Sequence, residues 1–234
     1  MKITPLSRRS IHSYYDKSGV KLRLWSPQIE HHNLEGKYKM FKNGITCIIL
    51  AGGQSKRMGG NNKALIPFKN HTLIEHVIEV IRPQVDRIII SANQDLAYLK
   101  NLGYPVIEDR IRDQGPLIGI SSVTDQIKTT NVVITPCDVI NIPKDYVEKL
   151  INNLNSNLSD IAIAKTNSGI QYLNCALTIN TINDLTIEIE KGTRRVSKWQ
   201  SRLKKSYVKF NDHDGQIPFM NLNQPKDFVN LTIT

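Results

Sequence analysis

The sequence predicts an α/β fold: a doubly wound, mostly parallel sheet with helices on both faces, of the nucleotide-binding, Rossmann-like kind. Three observations carry this prediction. Runs such as "CIIL", "RIIIS" and "VVIT" are continuously apolar, as in strands covered by helices on both faces. Helical patterns separate these runs one by one, the alternation that builds parallel sheets. The first run stops at Gly52-Gly53 and is followed by Lys56, Arg57 and Lys63, the composition of a ligand loop at the carboxyl end of a strand.

Taken in order, residues 1–43 have little periodicity and form a poorly defined basic extension, in which "VKLRLW" at 20–25 alternates as one short strand. Residues 44–234 read as a single domain. Its predicted strands span 45–50, 87–91, 105–108, 131–135 and 160–165. Its predicted helices span 72–82, 94–102, 116–129 and 143–155. Thr72 and Glu75 have the spacing of a capping box, and Pro143 suits a first helical turn. Beyond about residue 170 the pattern is less regular, with an apolar stretch, "LNCALTI", and a basic helix candidate at 181–204.

Composition bounds the function. The chain has 234 residues and is 40% hydrophobic, enough for a packed core. No apolar run approaches the roughly 20 residues that span a bilayer, and the N-terminus lacks the apolar region of a signal peptide. A cytoplasmic protein without a membrane partner is expected. Cys47, Cys137 and Cys175 stand singly in apolar contexts and read as buried thiols. Of the net charge of +10, residues 1–39 hold a net +5, from eight Lys/Arg against three Asp/Glu. The remainder is modest for a protein whose ligands are polyanions, and no nucleic-acid partner is expected.

The glycines after the first strand let backbone N–H groups approach a phosphate chain, and Lys56, Arg57 and Lys63 supply charge. The loop is neither a Walker A loop nor a GxGxxG fingerprint. Asp138, just past the strand "VVIT", can hold Mg²⁺ or cap a turn, and a neighbouring polyphosphate loop favours the metal. Asp109, after another strand, can accept from a base or ribose donor. Gly115 opens a helix begun by Pro116 and allows a flat ligand to approach, though a Pro-started helix after a polar loop explains it equally. Ser91 and Asn93 end the second strand as ligand groups or as an Asn turn. Arg194 and Arg195 follow a glycine and can bind phosphate or simply face solvent. Asn221 and Asn223, two apart, point one way in extended chain and suit a polar heterocycle, although a strand end running into a turn also fits.

"LAGGQSKRMGGNNKALIPF" resembles the signature loop of the nucleotidyltransferases. With "VIEDRIRDQGPLIGI", "TPCD", "GTRRV" and "FMNLNQPKD", the order and spacing are similar to the molybdenum cofactor guanylyltransferases over residues 44–230. That resemblance implies transfer of GMP from GTP to the terminal phosphate of molybdopterin, with release of pyrophosphate. It implies that Leu50, Ala51 and Gly52 lie against the nucleotide, with Gly53 and Arg57 along the phosphates and Lys63 neutralising them. It places Ser91 or Asn93 on the guanine side, Asp109 at the nucleoside, Mg²⁺ on Asp138, and molybdopterin at Arg194, Arg195, Asn221 and Asn223. A molybdopterin-delivering protein and acceptor molybdoenzymes are the implied partners. Two positions depart from the family's pattern: Ile140 stands where Pro is usual, and Gln224 where Thr is usual. Cytidylyl transfer to the same or another small phosphate, and non-catalytic nucleotide binding, are the rival readings.

Overall fold

A computed structural model describes residues 11–15, 21–25, 42–52, 62–112, 114–213 and 216–222. Two short strands, β1 (Ile11–Tyr15) and β2 (Lys21–Trp25), pair antiparallel, and β2 coincides with the strand expected at 20–25. The main sheet begins with β3 (Lys42–Leu50). A minor hairpin of β4 (Pro67–Phe68) and β5 (His71–Thr72) leads into α1 (Leu73–Ile81). The predicted capping box is present: the Thr72 hydroxyl accepts from Glu75 N, while the Thr72 backbone N–H donates to Glu75 Oε2 at 2.7 Å. The Thr72 hydroxyl also donates to Glu75 Oε2 at 2.7 Å, and the backbone and hydroxyl bonds together hold the carboxyl below its ordinary pKa.

The chain continues through β6 (Arg87–Ser91), α2 (Leu96–Asn101), β7 (Val106–Ile107) and α3 (Pro116–Ser122). Next come β8 (Thr129–Pro136), β9 (Val139–Ile140), α4 (Tyr146–Ser156), β10 (Ile161–Thr166) and β11 (Gly169–Thr178). The last elements are α5 (Ile179–Glu190), α6 (Val196–Gln200), β12 (Lys205–Lys209) and β13 (Met220–Asn221).

Seven strands form one sheet in the order β12-β10-β11-β8-β3-β6-β7. All neighbours are parallel except β11, which runs antiparallel to both β10 and β8. The cause is local. Only Asn167 and Ser168 separate β10 from β11, a connection that makes a hairpin but is too short for a parallel crossover.

The two apolar layers follow from the period-2 alternation of the strands. In β3, Cys47 and Ile49 face a layer closed by α1, α2 and α4, whereas Ile48 and Leu50 face one closed by α3, α5 and Trp199 of α6. Continuous apolar runs are therefore satisfied on both sides. Tyr146 is fully buried at the start of α4 and donates its hydroxyl to Ile134 O at 2.8 Å, which holds the helix to the centre of the sheet. Burial drives its pKa well up, so the phenol stays a donor.

Three predicted elements differ. The helix expected at 116–129 ends at Ser122, where the chain passes into a 3-10 turn at Thr124–Gln126 before β8. Pro143 lies before α4 rather than in its first turn; its carbonyl accepts from Tyr146 N at 3.1 Å. The single basic helix expected at 181–204 is two helices. Gly192, at φ +83°, takes the left-handed conformation that ends α5, with Gly192 N donating to Ile189 O and Thr193 N to Glu188 O. Among the described residues, no helix is long and apolar enough to cross a membrane.

Candidate active site

The chain leaves β3 to one side, builds β6 and β7, and returns on the other side as β8. The β3/β8 seam is therefore the switch point of the sheet, where open α/β folds take their ligands. In register, Leu50 lies beside Ser91 of β6 and Pro136 of β8, so three strand ends stop at one level. Backbone bonds fix that level: Ala51 N donates to Ser91 O at 2.8 Å and Cys137 N to Leu50 O at 3.0 Å.

A cavity of about 220 Å³ opens there, lined by Leu50, Ala51, Gly52, Lys63, Cys137 and Asp138, with Asn62, Pro116, Pro136 and Leu173 closing its sides. Lys63 reaches Asp138 across it, Nζ to Oδ2 at 3.1 Å, with the two side chains 23% and 18% exposed. The turn carrying Lys63 is held by Asn62, whose Oδ1 accepts from Ala64 N at 3.0 Å and whose Nδ2 donates to Asp95 at 3.0 Å. Burial, with the Asp138 charge beside it, pushes the Cys137 thiol well above its ordinary pKa, so it is a wall of the cavity rather than a nucleophile.

The second constellation adjoins the first. Asp109 Oδ1 accepts from Ser91 Oγ at 2.9 Å and Oδ2 from Asn93 Nδ2 at 2.7 Å, while Asp109 N donates to Asn93 Oδ1 at 3.0 Å. Ser91 is 1% exposed, so its hydroxyl orients Asp109 rather than opening toward the cavity. Gly52 joins the two sites: a Cβ there would sit 3.2 Å from Asn93 Nδ2 and 3.6 Å from Asp109 Oδ2. A flat group can thus pass over Gly52 between the triad and the Lys63–Asp138 pair.

Gly119 of α3 is a tighter constraint. A Cβ there would stand 2.6 Å from Ser91 Oγ and 3.2 Å from Asp109 Oδ1. Gly119→Ala is expected to break the Ser91–Asp109 bond and to cost about 1–2 kcal/mol net, overpacking outweighing the gain in helix propensity. Thermal unfolding with nucleotide titration checks this. A variant as stable as wild type with unchanged affinity would refute it.

The remaining candidates are placed as follows. Gly115 adopts φ +86°, a left-handed value that explains glycine there, and begins α3 before Pro116. Arg194 sits beside it without lying on a helix. Its guanidinium donates to Gln114 Oε1 at 3.2 Å and to the carbonyls of Ile189 (2.7 Å) and Thr193 (3.1 Å), so it caps α5 and ties it to the 114–116 loop. Arg195 is exposed and its carbonyl begins α6. Asn221 is exposed on β13, opposite Val139 and next to the Asp138 turn. Ile140, the departure from the family's pattern, is 1% exposed and packs with Phe68, Leu73 and Leu222. Gly53, Arg57 and Asn223, with Gln224, lie outside the described residues. Sequence reasoning missed Asn62, Pro136 and Leu173. Asn before "KAL" is a helix-cap composition that would have exposed the first; the other two carry no local signal.

A cation–carboxylate pair in a cavity at the switch point, beside Gly52 and a polar triad, is an arrangement suited to a phosphorylated ligand. The profile of the MobA-like NTP transferase domain matches residues 47–204. The chain is 35% identical over 188 residues to a molybdenum cofactor guanylyltransferase of Polynucleobacter asymbioticus, covering 78% of this chain and 93% of that protein. It is 31% identical over 183 residues to one from Shewanella woodyi, covering 78% of this chain and 92% of that protein. The crystal structure of molybdopterin-guanine dinucleotide biosynthesis protein A from Archaeoglobus fulgidus has the same fold, at TM-score 0.64 and 21% identity, over 79% of this chain and 95% of that one. The chain belongs to the molybdenum cofactor guanylyltransferase family.

Proposed function

We propose that the protein transfers GMP from GTP to the terminal phosphate of molybdopterin, forming the guanine dinucleotide and pyrophosphate. The observation that carries this reading is the Lys63–Asp138 pair in the switch-point cavity of a chain whose relatives are named molybdenum cofactor guanylyltransferases. An oxygen of the acceptor phosphate attacks the α-phosphorus of GTP, and the bond from that phosphorus to the β-phosphate bridging oxygen breaks. The acceptor is already anionic at neutral pH, so no general base is needed. The work left to the protein is to hold two anions together and to offset charge at the α-phosphorus.

Lys63 turns from Asp138 toward the phosphates, and Gly52 admits the chain without a Cβ in its path. Asn93 and Asp109, held by Ser91, receive the nucleoside; the roles assigned to Arg57 and Gly53 are toward the phosphates. Arg194, Arg195, Asn221 and Asn223 are assigned to the pterin, Arg194 through the 114–116 loop that it ties to α5. Asp138 suits a divalent cation: a hard, partly exposed carboxylate oxygen beside the phosphate path matches Mg²⁺, which takes few protein ligands and keeps waters and phosphate oxygens. Bound there, Mg²⁺ would stabilise negative charge on the phosphates. The reaction also implies a protein that delivers molybdopterin and molybdoenzymes that receive the product, in the cytoplasm. Residues 44–234, with Lys42 and Asn43 that open β3 of their sheet, constitute the catalytic domain, and the residues before them are an extension outside it.

The test is product formation with Mg²⁺ and molybdopterin, supplying GTP, CTP, UTP or ATP in parallel, for the full chain and for one begun at Met40. Guanine dinucleotide and pyrophosphate from GTP alone, at equal rates in both proteins, are expected. Turnover of CTP in place of GTP would overturn the base assignment. Loss of activity in the shorter protein would overturn the domain assignment.

A further inference from the structure

The turn that carries Asp138 is fastened by the far end of the chain. Leu222 N donates to Asp138 O at 2.9 Å, Asn221 and Met220 of β13 pair with Val139 and Ile140 of β9, and Asn141 Nδ2 donates to Ile217 O at 3.2 Å. These bonds reach across some eighty residues, so the turn does not hold its own shape locally. Two side chains pin this segment to the core. Leu222 is fully buried among Phe68, Leu73 and Ile140. Phe219 is 1% exposed and packs edge-on against Phe210 and Tyr146, at ring-centroid distances of 5.2 and 5.1 Å. It does so from a left-handed backbone, φ +54°, a conformation costly for a bulky aromatic and retained where packing over-determines it. That conformation turns the chain so that the ring goes into the core while residues 220–222 run beside the Asp138 turn.

We propose that residues 217–222 are a strap that positions the Asp138 carboxylate for its divalent cation, with Phe219 as the anchor. This rests on the reading that Asp138 binds the metal. Phe219 touches no reacting group; it acts through the β9–β13 pairing, and Asn221 is carried on the same strap. Loosening the anchor therefore weakens the metal site more than it weakens nucleotide binding, since Leu50, Gly52 and Lys63 are held by other elements.

The experiment measures Mn²⁺ affinity by electron paramagnetic resonance with GTP bound, alongside steady-state kinetics. Phe219→Ala is expected to weaken Mn²⁺ by about tenfold, within the range seen when residues behind a metal ligand are removed, and to lower kcat with little change in KM for GTP. Asn141→Gly keeps the φ of +55° accessible and deletes only the amide tether. It is the variant to read if Phe219→Ala fails to fold, and about a threefold loss in Mn²⁺ affinity is expected of it, the worth of one modest hydrogen bond. Tyr146→Phe removes a buried hydrogen bond on the other side of the aromatic cluster and is expected to lower stability without moving Mn²⁺ affinity. The strap is refuted if folded Phe219→Ala and Asn141→Gly both bind Mn²⁺ as wild type does, or if Tyr146→Phe weakens it equally. Asp138→Asn in the same titration separates the two ideas. Wild-type Mn²⁺ affinity in that variant would remove the metal reading itself, and with it the role of the strap.

Discussion

Asp138→Asn is expected to lower kcat by about 10²–10³ while leaving GTP affinity within tenfold of wild type, the size of loss seen when one group that stabilises transition-state charge is removed. The substitution is chosen for what it keeps. An Asn Oδ1 can still accept from Lys63 Nζ, now 3.1 Å from Asp138 Oδ2, and the turn is still held by Cys137 N to Leu50 O and Leu222 N to Asp138 O. What disappears is one negative charge at the cavity edge, the hard ligand that a divalent cation requires. Binding of the nucleotide rests largely on groups that remain, and the change relieves some repulsion between carboxylate and triphosphate. Affinity and turnover should therefore separate. Single-turnover rates and nucleotide titration read the two quantities directly. Parallel losses of the same modest factor would mean that Asp138 only shapes the turn.

Which parts of this site could be read from the chain depends on how far apart the cooperating residues lie. Leu50, Gly52, Lys63 and Asp138 were legible because each sits at the end of an apolar run or in one glycine-rich loop. Parallel strands then bring those ends to one level without further information. The capping box at Thr72 was legible for the same reason, its two partners being three residues apart. Ser91 and Asp109 were visible singly, but their bond spans 18 residues, so the role of Ser91 as a support for Asp109 appears only in three dimensions. Arg194 shows the limit more sharply. The sequence displays a charged pair and nothing of the α5 carbonyls or Gln114, 80 residues away, that engage its guanidinium. β11 has no clear period in the sequence, its residues alternating poorly near a register shift against β10, and its direction is fixed by the two-residue turn before it. The segment over Asp138 showed only a strand end at Asn221, and nothing of its pairing with β9, since both strands are two residues long and their pairing is set by where Phe219 and Leu222 are buried.

The same cavity geometry makes Lys63 the second residue on which turnover depends. Lys63→Met keeps the length and the apolar stem of the side chain and removes its charge, so a loss cannot be assigned to an empty space beside Ala64 and Leu65. In the ligand-free protein the pair is partly exposed, and breaking it is expected to cost stability no more than about 1 kcal/mol. With triphosphate bound the balance changes. Asp138 and the phosphates then face each other across a partly buried cavity, where an uncompensated charge is worth more than at the surface. We expect kcat/KM for GTP to fall by about 10²–10³, shared between weaker binding and slower transfer, because Lys63 meets the phosphates in the ground state and in the transition state alike. Lys63→Arg should recover little of this. The planar guanidinium spreads its charge over a wider fork than the compact ammonium and does not reproduce the contact that Lys63 makes with Asp138 Oδ2. Measuring both variants against Asp138→Asn decides the division of labour: Lys63→Met should raise KM and lower kcat together, whereas Asp138→Asn should act almost wholly on kcat. A Lys63→Met enzyme within threefold of wild-type kcat/KM would show that backbone N–H groups alone carry the phosphates.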